Sequence, residues 1–431
     1  MKKKILSMLL SMVLTVACFT GCGSNPSSGG ETGGAASTET PKNPEDMYTV
    51  TMAVIGNDQE DMDLVEAEMN KILAEKVGAQ IDVITLGWGV YQQQLQLMLS
   101  GAEKLDLVPI MYNNVSTYVN SGQVLDMSDL IDQYGVNMKA ALGEDILKIA
   151  NMNGYVYGVP VEKEWYADSC LVMRKDILDK YNLDVSNVKS LADCAPIFET
   201  IHENEPDMKI IVGAKDSLIG NVYFADVLSD RFGVLDNGGA DTTIVNYYET
   251  DNYKNLAATV HDYYEKGYID KDMATSTDAG TTTLKAGNAF CFATPYKPGV
   301  AEQESLNTGY ELVAVRINPT PAFCYTNAVA AITWGIGQNC ENPEMTMKVL
   351  DYMYGDPELM NLFNWGIEGV HYVVKDAEND VIGFPDGVDA SNAKYNLNMG
   401  WELPNQYKIH VWEGSSRKIM DAQKEMNATA N

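Results

Sequence analysis

The order of apolar periodicities between Tyr48 and Met111 restricts this chain more than any other feature. Tyr48–Ile55 reads YTVTMAVI, a β-rich run, and over residues 61–77 Leu64, Val65, Met69, Ile72 and Leu73 recur at helical spacing. Ala79–Leu86 reads as a second strand, residues 90–99 as a second helix and residues 105–111 as a third strand. Strands that alternate with helices are joined by crossovers and pair in parallel, so this segment predicts an α/β sheet and not a meander. Ligands of such sheets collect outside the carboxyl ends of the strands. Those ends fall at Gly87-Trp88-Gly89 and Tyr112-Asn113-Asn114.

Residues 153–160, NGYVYGVP, form an aromatic β segment bounded by glycines and halted by proline, which marks a boundary or hinge. Beyond it the same style resumes, with a strand over 168–173, helices over 175–181 and 191–203, and a strand over 209–212. A helix at 253–266 and strands at 287–294 and 310–317 follow, then the breaker Pro319-Thr320-Pro321 and an apolar run at 328–336. A helix at 344–354 is introduced by Asn342-Pro343, with proline where a first turn tolerates it. No repeat of solenoid period occurs, so two α/β units joined by several crossings are the simplest account.

Residues 1–21 stand outside the fold. Lys2, Lys3 and Lys4 precede an apolar run over 5–19, shorter than a bilayer-spanning helix requires, which is the pattern of an export signal. Phe19-Thr20-Gly21-Cys22 then resembles the lipobox of bacterial lipoproteins, with Phe19 in place of the more usual Leu, and this implies cleavage before Cys22 and its lipidation. Residues 22–46, rich in Gly, Ser, Thr and Pro, read as a flexible tether with an r.m.s. reach of about 25–30 Å. The 30 Lys plus Arg against 60 Asp plus Glu give a formal charge of −30, and loss of the three signal lysines takes the remaining 410 residues to −33. Such a surface repels phosphate backbones and anionic headgroups, so nucleic acid is excluded as a partner and the lipid on Cys22 must hold the chain at the membrane. Five cysteines remain beyond Cys18 and Cys22. Cys291 and Cys324 lie in apolar runs, no CxxC metal or redox pair is present after the signal, and a Cys170–Cys194 disulfide rests on neighbourhood alone.

Several short motifs occur in a fixed order. Gly87-Trp88-Gly89-Val90-Tyr91 leads into a helix ending Leu99-Ser100-Gly101, followed by LDLV at 105–108 and by residues 153–160. Later come LKAGNA at 284–289, WGIG at 334–337 ahead of Asn342-Pro343-Glu344, and NWGIEGVHY at 364–372. In this order the chain resembles the extracellular solute-binding proteins of ABC importers, family 1, the sugar-binding type in its Gram-positive lipoprotein branch. The resemblance implies a two-lobe, periplasmic-binding-protein-like α/β fold of type II with hinge crossovers. It assigns residues 47–160 plus 278–316 to lobe one and 161–277 plus 317–431 to lobe two. It further implies a monomer, lipid-anchored on the extracellular face of the cell membrane, that captures a carbohydrate, an oligosaccharide, and delivers it to permease subunits without cofactor or metal. Related chains carrying the WGIEG segment often continue past the point where this one stops, which implies a trimmed second lobe or a short form.

Sugar recognition needs flat apolar faces for C–H surfaces and planar polar groups for hydroxyls, since an unpaired desolvated hydroxyl costs about 1–3 kcal/mol. Trp88, Tyr112 and Asn113 are the candidates on the first-lobe rim. Glu162, Lys163, Glu164, Trp165 and Tyr166 follow the hinge directly, and Tyr296, Tyr325, Asn327, Trp365, Glu368 and His371 complete the set. Trp334 belongs to the core, and Trp401 and Trp412 read as packing residues. Glu162 and Glu164 are a carboxylate pair of the kind glycoside hydrolysis uses, but i and i+2 on an extended segment share a face without chemistry. No GxSxG elbow or HExxH is present, so no catalytic residue is assigned; a peptide or small polar solute receptor and a secreted glycoside hydrolase are the alternatives.

Overall fold

In the computed structural model, β1 (Tyr48–Ile55) and β2 (Ala79–Leu86) pair in parallel along their whole length, from Tyr48 opposite Ala79 to Ile55 opposite Leu86. The structure describes residues 46–430 apart from 88–89, 102, 216, 222–224, 229–231, 237–240, 318–322 and 390–391, so Cys22 and Trp88 lie outside the described residues. The helix α1 (Met62–Lys76) connects these strands and buries Val65, Met69 and Leu73 at the spacing the sequence set. After α2 (Tyr91–Ser100) comes β3 (Leu107–Met111), parallel to β1, and the first three strands match the sequence reading.

The sheet then takes two strands from far along the chain. Ile332–Ile336 runs antiparallel to β3, and Val159–Pro160 runs antiparallel to Ile332–Ile336, giving a five-stranded order of β2, β1, β3, Ile332–Ile336, Val159–Pro160. Gly158 permits this last pairing, because a Cβ there would come within 2.9 Å of the Thr333 hydroxyl. A second sheet has the order Leu312–Arg316, Ser169–Arg174, Ala289–Pro295, Lys209–Ile211, with the first three strands antiparallel and the last pair parallel. Each sheet carries its own core: Trp334, Tyr354 and Phe363 are fully buried in the first, and Phe198 and Phe290 in the second.

This corrects the sequence assignment of the lobes. Residues 278–316 contribute two strands to the second sheet, not the first, and Ile332–Ile336 sits inside the first sheet. The cause is physical: a strand buried on both faces, as Ala289–Ala293 is, carries no mark of which sheet it joins. The chain crosses between sheets at residues 161–168 and returns through Phe323–Cys324, and the two crossings pair antiparallel, Cys324 opposite Tyr166. A third tie is the C-terminal helix Arg417–Thr429, capped by the Ser416 hydroxyl. Its Asn427 side chain accepts from the Trp165 amide at 2.8 Å and donates to the Lys163 carbonyl at 2.6 Å, while Gln423 donates to Pro298 O on the second lobe at 2.9 Å. Cys170 and Cys194 are buried free thiols, which removes the disulfide.

Candidate functional site

A cavity of about 490 Å³ lies between the lobes. One wall belongs to the second lobe, with Lys297, Gln303 and Asn307, and the other to residues 398–415 of the first, with Trp401, His410 and Trp412. Segment 398–415 has little regular structure, so its backbone groups need side-chain partners. Three buried asparagines supply them. The Asn364 side chain accepts from Met399 N–H at 2.8 Å, Asn361 accepts from His410 N–H at 2.6 Å and donates to Lys408 O at 3.2 Å, and Asn405 accepts from Tyr407 N–H at 3.0 Å while anchoring the segment to Tyr354 O at 2.9 Å.

Trp365 reaches this wall because the helix Pro357–Trp365 stops at Gly366, whose φ of +86° is open to glycine and whose Cβ would strike the His371 ring. Its indole N–H donates to His410 O at 3.1 Å, and its ring lies 4.9 Å from Trp412, tilted by 33°. Trp412 and Trp401 are only half-buried, so aromatic surface faces the cavity. Both pack against the first-lobe core, as the sequence reading had it, and also line the cavity; the signal for the second role is their place in a Gly-, Pro- and Asn-rich segment, where a large ring stays partly uncovered.

Polar groups ring these indoles. Glu164 faces Lys297 at 3.5 Å, and although burial pushes the Glu164 carboxyl up, Lys297 and Lys163 outweigh it and hold its pKa below the usual value. Burial lowers the Lys163 ammonium, partly offset by Glu164. His410 sits 2.5 Å through Nδ1 from the Asp380 carboxylate, whose other oxygen pairs with Arg417. For Asp380, too, burial is the largest influence and raises the pKa, yet Arg417 and His410 bring it below normal. Arg417 also donates to Ile409 O at 2.8 Å, so one guanidinium fixes both the carboxylate and the backbone next to His410.

Of the residues singled out from sequence, Glu164 and Trp365 line this cavity. Trp165 does not: it is 7% exposed, packs in the first-lobe core and donates its indole N–H to Val161 O at 2.9 Å. Its loop looked polar, but the chain turns inward there under the C-terminal helix. Glu162 is buried against Lys424 at 2.8 Å, and Tyr166 is buried, its hydroxyl pKa pushed far up by burial and by Glu164. His371 is buried too; its Nδ1 accepts from Ile367 N–H at 2.9 Å, so Nε2 carries the hydrogen toward Asp61 at 3.2 Å, and the ring serves a turn. Asn113 and Glu368 are exposed. Tyr296 stands under Arg316, 5.2 Å from its guanidinium, next to the crossing strands, and Tyr325 packs on Phe323. Tyr112 lies elsewhere, near buried Asp226: burial and then the Asp226 charge raise the Tyr112 hydroxyl, and Thr326, the residue before Asn327, donates to the Asp226 carboxylate at 3.4 Å. Among the described residues no group of three or more His, Cys, Asp or Glu could hold a metal, and no helix is long and apolar enough to cross a membrane.

Two sheets that exchange strands across paired crossings, with an aromatic cavity between them, define a two-lobe solute receptor. The chain belongs to the bacterial extracellular solute-binding protein family, whose profile matches residues 56–359. It is 28% identical over 385 residues, 88% of this chain and 76% of the relative, to a carbohydrate ABC transporter substrate-binding protein of Streptococcus pneumoniae. The N-glycan transport solute binding protein from Streptococcus pneumoniae superposes with a TM-score of 0.77 at 26% identity, covering 89% of this chain and 83% of that one. Structures of that protein in complex with Man1GlcNAc and Man5GlcNAc, with the same coverage at 25% identity, give TM-scores of 0.67 and 0.64. An extracellular solute-binding protein from Bifidobacterium longum subsp. infantis shares the fold at 15% identity, with a TM-score of 0.61 and coverage of 90% and 84%. The family is one of receptors and not of enzymes.

Proposed function

We propose that this chain is the substrate-binding component of an ABC importer, which captures an oligosaccharide between its lobes and presents it to the permease. The observation that carries this reading is the cavity between the lobes, where the half-buried indoles of Trp401 and Trp412, the latter backed by the buried Trp365, stand among planar amides and a His–Asp pair. Indole faces suit the C–H surfaces of sugar rings, and amides both donate to and accept from hydroxyls. The names of the relatives support it. Closure is favoured only by the ligand's greater affinity for the closed form, so contacts must come from both walls. The candidate contacts are Glu164, Lys297, Trp365, Trp401, His410 and Trp412. In this reading Cys22 carries the lipid, residues 22–46 tether the body to the extracellular face of the membrane, and the protein acts as a monomer without catalysis.

A thermal-shift screen of monosaccharides, oligosaccharides and peptides tests it. A ligand at 100 times its dissociation constant adds about 2.7 kcal/mol to stability. An oligosaccharide should raise the transition temperature; a flat response to every sugar together with a shift by peptide would overturn the assignment.

A further inference from the structure

The tryptophan cavity has a neighbour. A second cavity of about 490 Å³ opens beside Asn57, Gln59, Phe384, Lys394 and Asn396, and it shares Asn398 and Trp412 with the first. Its floor is the segment that leaves the carboxyl end of β1, the position at which α/β sheets present ligands.

The shared residues make the relation between the cavities specific. Trp412 packs on Trp365 on the side of the first cavity, and Phe384, on the side of the second, meets it edge-on at 4.7 Å and 72°. The indole is thus clamped between two rings as a ridge, with an aromatic surface on each side. The second cavity's polar groups are also held in place: Gln59 accepts from Asn396 N–H at 2.8 Å and donates to Asn57 O at 2.9 Å. Lys394, the one cation among the described lining residues, is neutralised by Glu60 at 2.9 Å, which leaves Asp58 to set the sign of the local field.

We propose that the two cavities are consecutive subsites of a single groove, divided by Trp412, and that the second receives a further neutral sugar ring of the same oligosaccharide. This rests on the carbohydrate reading above. Each cavity alone is of a size that encloses a drug-sized ligand, so together they exceed what a monosaccharide fills. The side-chain amides of Asn57, Asn396 and Asn398 match hydroxyls, and the Phe384–Trp412 pair gives the apolar surface that a ring face needs. With Lys394 paired and Asp58 facing the space, a uronate or other acidic ring is disfavoured.

Calorimetric titration with Man1GlcNAc and Man5GlcNAc, on the wild type and on Phe384→Ala and Asn396→Ala, tests the proposal. Asn396→Ala keeps the backbone bond to Gln59, so it guards against a folding defect in Phe384→Ala. Each variant should lose tenfold or more in affinity for Man5GlcNAc and less than twofold for Man1GlcNAc. Equal losses on both glycans, or none on either, would overturn the second subsite while leaving the carbohydrate assignment intact. Wild-type protein that binds neither glycan removes the carbohydrate assignment and the subsite with it. A uronic acid oligomer of matched length should bind more weakly than the neutral glycan; equal binding would refute the charge argument.

Discussion

Glu402, one residue from Trp401, gives the wall of the cavity a pH-dependent foundation. Its side chain is fully buried, Oε1 accepts from Ile55 N–H at 2.8 Å, and its own carbonyl accepts the Trp334 indole N–H at 2.8 Å. Burial pushes its pKa from the ordinary 4.5 up to about 8. Between those values the folded chain keeps a proton that the unfolded chain has released, so stability is full below about pH 4.5 and falls as pH rises toward 8. The slope is about 1.4 kcal/mol per pH unit, and between pH 5 and 8 the loss is on the order of 3–4 kcal/mol. Glu402→Gln removes the titration and retains an acceptor for Ile55. Urea unfolding of both proteins at pH 5 and pH 8 should show the variant gaining that amount on the wild type at the higher pH. A wild-type-minus-variant difference that is the same at both pH values would refute the claim that Glu402 is protonated in the folded protein at neutral pH.

The remaining predictions concern the cavity and its supports. Trp412→Ala should lower oligosaccharide affinity by tenfold or more in calorimetry on protein that remains folded, with a loss of about 1–3 kcal/mol in denaturant unfolding from its contacts with Trp365 and Phe384, because the half-buried ring forms the ridge between the cavities. Trp165→Ala should do the reverse: a loss of about 3–5 kcal/mol in denaturant unfolding, with the folded protein's affinity retained. A drop in affinity alone would return Trp165 to the ligand site. Lys424→Met leaves the buried Glu162 carboxylate without its cation and should cost about 2–3 kcal/mol, which Glu162→Gln in the same chain should restore; an additive loss in the double variant would contradict the pairing.

What could be read from sequence divides by the range of the interactions. β1, α1, β2, α2 and β3 follow from local periodicity, and Trp334 was readable as core because apolar residues flank it on both sides. Sheet membership was not readable: Ala289–Ala293 and Ile332–Ile336 are equally apolar, and only pairing across more than a hundred residues decides that one joins Ser169–Arg174 and the other β3. The site suffered from the same limit. Trp165 looked exposed because its neighbours Glu162, Lys163 and Glu164 are charged, yet Lys424, Asn427 and Lys297, distant in sequence, supply the partners that draw this segment inward. Trp401 and Trp412 do pack against the first core, as read, but their second role in lining the cavity was not readable, because nothing local shows that Asn361, Asn364 and Asn405 hold the irregular segment that carries them.

The central claim is that the cavity between the lobes binds an oligosaccharide and releases it unchanged. Incubation of the purified protein with Man5GlcNAc under calorimetric titration, followed by mass analysis of the recovered glycan, tests this most directly. The account predicts saturable binding of one glycan per chain that Trp412→Ala weakens, with the glycan recovered intact after hours. Absence of binding, or the release of shorter glycans with new reducing ends, would contradict it.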